Sequence, residues 1–273
     1  MKTLTLLTTL LALAQAVPVD PAKFIIGGIP ANLGQFPFQA LLATPKKSGG
    51  IGACGGTLLN ERYVLTAAHC MKDYVLNEFF EVYLGTVDGD KLFGGEVQSR
   101  KVVKVTLTNR NPMATHTIDD IAVLELESPV TYTNAVKPIK IYKDDAPIRK
   151  LSYQPLVCGF GNTAYDANGN KGPRSGILLY THVPLSSDEL CRKAYGPIIT
   201  DLNICAGDDF KGVGNGDSGG PLFTSYKDDW AQLGISSNAF VTNFKKNRPD
   251  AFTRVSQYCD FINQATNDSY RCL

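Results

Sequence analysis

Short runs of β-branched and aromatic residues, each closed by a turn rich in Gly, Pro, Asn or Asp, recur along most of this chain. No other feature narrows the possible folds so far. Runs at 38–43, 79–84, 101–107, 121–126, 154–158, 177–183 and 230–235 have strand length, and helical apolar spacing is scarce between them. Many short strands with frequent turns predict an all-β architecture. The exception lies near the C-terminus, where Val255, Tyr258 and Ile262 are spaced three and four apart without Gly or Pro, as in a short packed helix. The stretch 133–150, with two prolines and mixed charge, predicts a connector between two halves.

With 273 residues and a net charge of +1, the chain is long enough for one large or two small buried cores. The charge balance suggests neither nucleic acid nor an anionic membrane as a partner. Lys2 precedes an apolar run from Leu4 to Ala14, and Ala14-Gln15-Ala16 supplies the small residues of a cleavage site. That run is shorter than the roughly 20 residues needed to cross a bilayer. Residues 1–16 therefore read as a signal peptide, and the mature protein as secreted, extracellular and soluble. Residues 17–24 carry two prolines ahead of Ile25-Ile26-Gly27-Gly28 and read as a removable propeptide. Seven cysteines suit an oxidising compartment, and their odd number leaves at least one outside an intramolecular bridge. With no Cys-x-x-Cys and only three histidines, no zinc site is expected, and no other metal or cofactor.

The chemistry gathers at Gly214-Asn215-Gly216-Asp217-Ser218-Gly219-Gly220-Pro221-Leu222. Ser218 is the candidate nucleophile; glycines at 216, 219 and 220 permit sharp turns and keep bulk away from it. Such a loop can aim the N–H groups of Gly216 and Ser218 at one point, where an oxyanion forms. A serine hydroxyl needs a base. His69 closes a strand-like run in small residues, with Cys70 pinning the next position, whereas His116 lies among polar loop residues and His182 in a strand without a special neighbour. For the orienting acid, Asp120 directly precedes Ile121-Ala122-Val123-Leu124, which sets it at a strand edge near a core. Asp119 is expected to point elsewhere, into solvent.

Three motifs, Thr66-Ala67-Ala68-His69-Cys70, Asp120-Ile121-Ala122-Val123-Leu124 and Gly216-Asp217-Ser218-Gly219-Gly220-Pro221, follow one another in the order His, Asp, Ser. In them, behind the Ile-Ile-Gly-Gly start, the chain resembles the chymotrypsin-like (trypsin-like) serine endopeptidases from Ile25 to about Ile262. The resemblance implies two six-stranded antiparallel β-barrels, spanning about 25–140 and 141–255, a site in the cleft between them, and a C-terminal helix at about 256–266. It implies His69, Asp120 and Ser218 as the catalytic residues and the N–H groups of Gly216 and Ser218 as the oxyanion hole. Ser237 matches the serine that supports the aspartate and pairs with substrate. Protein or peptide substrates, an activating protease and a monomeric enzyme are the expected partners and state.

The same likeness implies that cleavage before Ile25 frees an amino group that pairs with Asp217, ordering the oxyanion loop. One departure stands out: Phe24, not Lys or Arg, precedes Ile25. Either the activator accepts an aromatic residue, or trimming follows a cut after Lys23. By the match, Cys54 pairs with Cys70 and Cys191 with Cys205; Cys158, Cys259 and Cys272 remain for one further pair and a free thiol. Gly214 and Thr224 stand where the family usually has cysteines. Calcium is not implied, since Thr86 replaces a usual glutamate.

For specificity, the resemblance implies that Gly212 occupies the pocket base, where trypsins carry an acid. By the same match Asp250 falls on the far wall, either open to a basic side chain or screened behind Val213 and Phe252. Ala239 replaces a usual glycine at the pocket mouth and Asn238 a usual tryptophan. Small to medium apolar residues are the expected preference at the cleaved position. Asn267-Asp268-Ser269 is a glycosylation sequon. Two rivals are disfavoured: an inactive homologue acting as a binding module, because all three reactive residues are kept, and an α/β esterase or lipase, because the residue order is wrong.

Overall fold

A computed structural model describes residues 25, 27–45, 49–72, 80–111, 118–151, 154–162, 173–208, 211–238 and 249–273. The expected signal peptide and propeptide, His116 and Ala239 lie outside them. The first half carries β1 (Ile29–Pro30), β2 (Gln39–Pro45), β3 (Ile51–Leu58), β4 (Tyr63–Thr66), β5 (Glu81–Leu84), β6 (Gln98–Leu107) and β7 (Ala122–Leu126). Strands β2 to β7 close into a barrel in the order β2-β3-β4-β7-β6-β5, every pairing antiparallel. Leu42, Leu58, Leu65, Val82, Leu84 and Leu124 fill it.

The second half comprises β8 (Lys140–Ile141), α1 (Ala146–Leu151), β9 (Leu156–Gly159), β10 (Leu179–His182), α2 (Asp188–Tyr195), β11 (Asn203–Ala206), β12 (Pro221–Tyr226), β13 (Asp229–Asn238), β14 (Asp250–Arg254) and α3 (Cys259–Ala265). Six of its strands run antiparallel in the order β10-β9-β12-β13-β14-β11, and a bridge from Leu185 to Ala206 joins the two ends of that path. Two short strands add to this sheet. β1, from the start of the chain, pairs with β10, and β8 runs parallel to β13. The 133–150 stretch thus carries β8 and most of α1.

All seven strand-like runs coincide with strands. β3, β4, β11, β12 and β14 were not among them; in β3, Gly52, Gly55 and Gly56 depress the strand propensity. The expected C-terminal helix begins as a 3-10 turn over Val255–Tyr258 and continues as α3. No described helix is long and apolar enough to cross a membrane.

The two halves meet through aromatic rings. On β12, Leu222 packs in the core of the second sheet while its neighbour Phe223 joins Phe36, Phe38 and Trp230 in a separate cluster. Successive side chains of a strand face opposite ways, so one strand serves both layers. Phe38 and Phe223 meet edge to face at 5.0 Å between centroids, and Phe223 and Trp230 at 5.3 Å. A buried hydrogen bond from Thr57 Oγ1 on β3 to Gln232 Oε1 on β13, 2.8 Å, fixes the register of the halves.

Candidate active site

Antiparallel pairing of β4 with β7 sets Thr66 opposite Ala122, so the residues just after β4 and just before β7 share one end of the barrel. His69 lies there in a 3-10 turn over Ala68–Met71, and the Cys54–Cys70 disulfide ties that turn to β3. Asp120 Oδ1 accepts the His69 backbone N–H at 2.8 Å, and Oδ2 accepts Nδ1–H at 2.7 Å. With Nδ1 donating, Nε2 is the nitrogen left to accept a proton. The second half supplies two more donors: Ser237 Oγ reaches Oδ2 at 2.5 Å, and Thr253 Oγ1 reaches the Asp120 carbonyl at 2.9 Å. Burial alone would raise the Asp120 pKa, but the hydrogen bonds and charge of His69, with the Ser237 hydroxyl, outweigh it and hold the carboxyl below its ordinary range.

Ser218 is carried to the same place from the other half. Gly219 N–H donates to the Ser236 carbonyl and Ser236 N–H to the Gly220 carbonyl, both at 2.8 Å, while Gly55 N–H on β3 donates to the Ser218 carbonyl at 2.7 Å. Gly55 adjoins the disulfide that pins His69, and its own carbonyl accepts from Thr66 Oγ1 at 2.8 Å. Gly219 is obligatory here: it sits at φ +81°, and a Cβ would lie 2.1 Å from Thr66 Oγ1. On the facing strand, a Cβ on Gly55 would lie 2.8 Å from the Gly220 Cα, so the two backbones meet only because Gly55 carries no side chain. Gly216, at φ +100°, completes the turn.

Asp217 is fully buried behind Ser218. Its carboxylate accepts the N–H groups of Gly161 and Gly214, each at 2.8 Å. Burial pushes its pKa up to about 6, against the lowering effect of those two donors and of Arg174. Ile25 is also fully buried, in the core that holds Val157, Val213 and Phe252. Gly214 thus spends its N–H on Asp217. Asp250 lies at the start of β14, and its Oδ2 accepts the Val213 N–H at 2.9 Å and faces Gly212. Its carboxylate is enclosed although the residue keeps some open surface, and burial drives its pKa up to about 8, reinforced by the charges of Asp217 and Asp208.

Asp119 corrects the expectation of a solvated side chain. It is buried, at φ +44°, with its carboxylate held by Arg110 and Tyr258. The bridges Cys54–Cys70 and Cys191–Cys205 are present, Cys259 pairs with Cys272, and Cys158 is a buried free thiol. Sequence reading passed over Gly55, Gly161 and Thr253, and quoted Thr66 only as the first residue of the histidine motif. Only the glycine-rich Cys54-Gly55-Gly56 signalled any of them. Cys54, His69 and Cys70 cluster as metal ligands do, but both sulfurs are spent in the disulfide, which leaves a single imidazole.

The family model described as Trypsin matches residues 25–262. The chain is 31% identical over 245 residues to the venom protease of Bombus pensylvanicus, covering 86% of this chain and 96% of that protein. It is 33% identical over 253 residues to Trypsin 5G1 of Aedes aegypti, covering 89% and 85% respectively. It is 33% identical over 263 residues to the proclotting enzyme of Tachypleus tridentatus, covering 87% of this chain and 65% of that protein. A closed β-barrel, a second and largely antiparallel sheet and a match over nearly the whole chain agree: this chain belongs to the trypsin family and is a serine endopeptidase.

Proposed function

We propose that this endopeptidase is secreted, is made as a zymogen, and cleaves peptide bonds through Ser218, His69 and Asp120. One observation carries the reading. Neighbouring residues of β13 hold both parts of the site, Ser236 bracketing the Ser218 loop and Ser237 gripping the carboxylate that orients His69. Ser218 Oγ attacks the scissile carbonyl as His69 Nε2 takes its proton, and the imidazolium then protonates the leaving amine. Asp120 holds the tautomer and stabilises the imidazolium. The N–H groups of Gly216 and Ser218 receive the oxyanion, a contribution of about 100- to 1,000-fold per donor. Water then releases the acyl group.

Removal of residues 1–16 as a signal and 17–24 as a propeptide exposes the Ile25 amino group, which pairs with Asp217. A buried carboxyl with its pKa up to about 6 gains most from a nearby ammonium, which supports this switch. At the cleaved position, Gly212, Val213, Ala239 and Asp250 select small to medium apolar side chains. An Asp250 carboxyl whose pKa is up to about 8 is largely neutral at pH 7 and draws cations weakly. Substrates are proteins or peptides, and the enzyme acts as a monomer.

The test uses protein with a verified Ile25 terminus and a fluorophosphonate probe. Ser218 is labelled, and Ser218→Ala or His69→Ala lowers kcat by about 10⁴-fold or more. An inert protein with the correct terminus would overturn the reading in favour of a binding module. A strong Lys or Arg preference in a peptide-library profile would overturn the specificity assignment alone.

A further inference from the structure

Asp120 has a neighbour whose conformation is unusual and well braced. Asp119 sits at φ +44°, in the left-handed region that side-chain-bearing residues avoid. The Ile121 N–H donates to the Asp119 carbonyl at 2.7 Å, which closes a three-residue turn with Asp120 at its centre. The direction in which Asp120 projects from the barrel is therefore set by the backbone of Asp119. That backbone is gripped through its side chain. Arg110 Nε donates to Oδ2 at 2.7 Å while Nη2 donates to Oδ1, a two-point fork, and Tyr258 Oη donates to Oδ1 at 2.9 Å. Asn111 Nδ2 adds a bond to the Asp119 carbonyl at 3.3 Å. The Asp119 carboxylate is almost wholly covered, whereas the Arg110 side chain is 61% exposed, so the fork closes the turn from its solvent side.

These braces come from two distant parts of the chain. Arg110 follows β6, and Tyr258 ends the 3-10 turn that leads into α3. We infer that Asp119, clamped between Arg110 and Tyr258, is a positioning residue that aims the Asp120 carboxylate at His69. The clamp couples the C-terminal helix to the reaction centre without touching substrate. It rests on the reading of Asp120 as the acid that orients His69. The Asp120 turn is tied to His69 and Ser237 on one side and to the clamp on the other, so releasing the clamp lets the turn relax toward ordinary dihedrals. Misplacement of a catalytic group by about 1 Å costs on the order of 100-fold.

Asp119→Ala, Asp119→Asn and Tyr258→Phe test this in the activated enzyme. Asp119→Ala lowers kcat by roughly 10- to 100-fold with little change in KM. Asp119→Asn restores most of the rate, because asparagine tolerates the left-handed region and still accepts from Tyr258. Tyr258→Phe, which deletes one hydroxyl, lowers kcat in the same direction by a smaller factor. The downfield proton resonance of His69 Nδ1–H shifts or broadens in Asp119→Ala and returns in Asp119→Asn, a change that mere loss of folded protein does not produce. Wild-type kcat and an unmoved resonance in both Asp119→Ala and Tyr258→Phe would overturn the inference. If Asp119→Ala does not fold, an unchanged Tyr258→Phe overturns it alone. Fluorophosphonate labelling of wild-type Ser218 separates the two readings: labelled wild type with unaffected variants defeats the clamp only, and inert wild type defeats the triad and the clamp together.

Discussion

The Ser237 hydroxyl donates to Oδ2 of Asp120 over 2.5 Å, from a strand of the second sheet to a residue at the edge of the first barrel. The same oxygen accepts the His69 Nδ1–H, so the bond bears on the imidazole as well as on the carboxylate. A buried carboxylate that loses a donor loses about 1.5–3 kcal/mol. Ser237→Ala is therefore expected to lower kcat by about 10- to 100-fold with the fold intact, as read by steady-state kinetics beside circular dichroism. Full activity in that variant would show that Asp120 is held in place without the Ser237 hydroxyl.

Gly219 lies where two backbones and the Thr66 hydroxyl converge. Gly219→Ala has to displace either Thr66 or the Ser218 loop, and the strained φ adds to the clash. A loss of at least about 100-fold in kcat is expected, with slower labelling by a fluorophosphonate. Labelling at the wild-type rate would place the loop further from β3 than the Gly55–Ser218 hydrogen bond implies.

Asp250 ties stability to pH. Its pKa rises from an unfolded value near 4 to about 8 in the folded chain, so the folded state holds the proton more tightly. The stability it confers is complete below about pH 4 and is lost as pH climbs through about 8. Asp250→Asn mimics the protonated form and keeps an acceptor for the Val213 N–H. Its Tm should match wild type near pH 4 and exceed it by several degrees at pH 8.5, about 2–4 °C for each kcal/mol. Equal Tm values at both pH values would mean that the carboxylate is solvated.

Cys158 is buried, with Sγ 3.1 Å from Gln39 Oε1, and burial pushes its thiol pKa well up. It should resist Ellman's reagent in the native protein, while guanidinium should reveal one thiol per chain. Cys272→Ser opens the loop to Cys259 and should cost about 3 kcal/mol in denaturant unfolding. A peptide map with Cys158 in a disulfide would contradict this arrangement.

Much of this molecule is written locally. Short runs of β-branched and aromatic residues closed by Gly, Pro, Asn or Asp turns marked seven strands, because such residues suit a pleated, half-buried surface whatever it later packs against. Glycine and serine around 218, small residues before His69 and an apolar run after Asp120 are likewise local necessities of the chemistry. β3 escaped notice because its glycines lower its own propensity, and one of them, Gly55, serves a contact with Gly220 far along the chain.

Asp119 shows where local reading stops. Two adjacent aspartates look alike in sequence, and the partners that bury the first lie nine residues before it and 139 residues after it. The pairing of the last three cysteines is of the same kind. It follows from α3 folding the tail back so that Leu273 and residues 141–143 exchange backbone hydrogen bonds, which seats Cys272 beside Cys259 and leaves Cys158 inside. The sequence by itself determined which groups can react, since reactivity belongs to residue type and immediate neighbours. Tertiary structure alone decided which groups meet and which buried charges find partners, because burial of Phe36, Phe38, Phe223 and Trp230 between the halves sets distances that no local pattern contains.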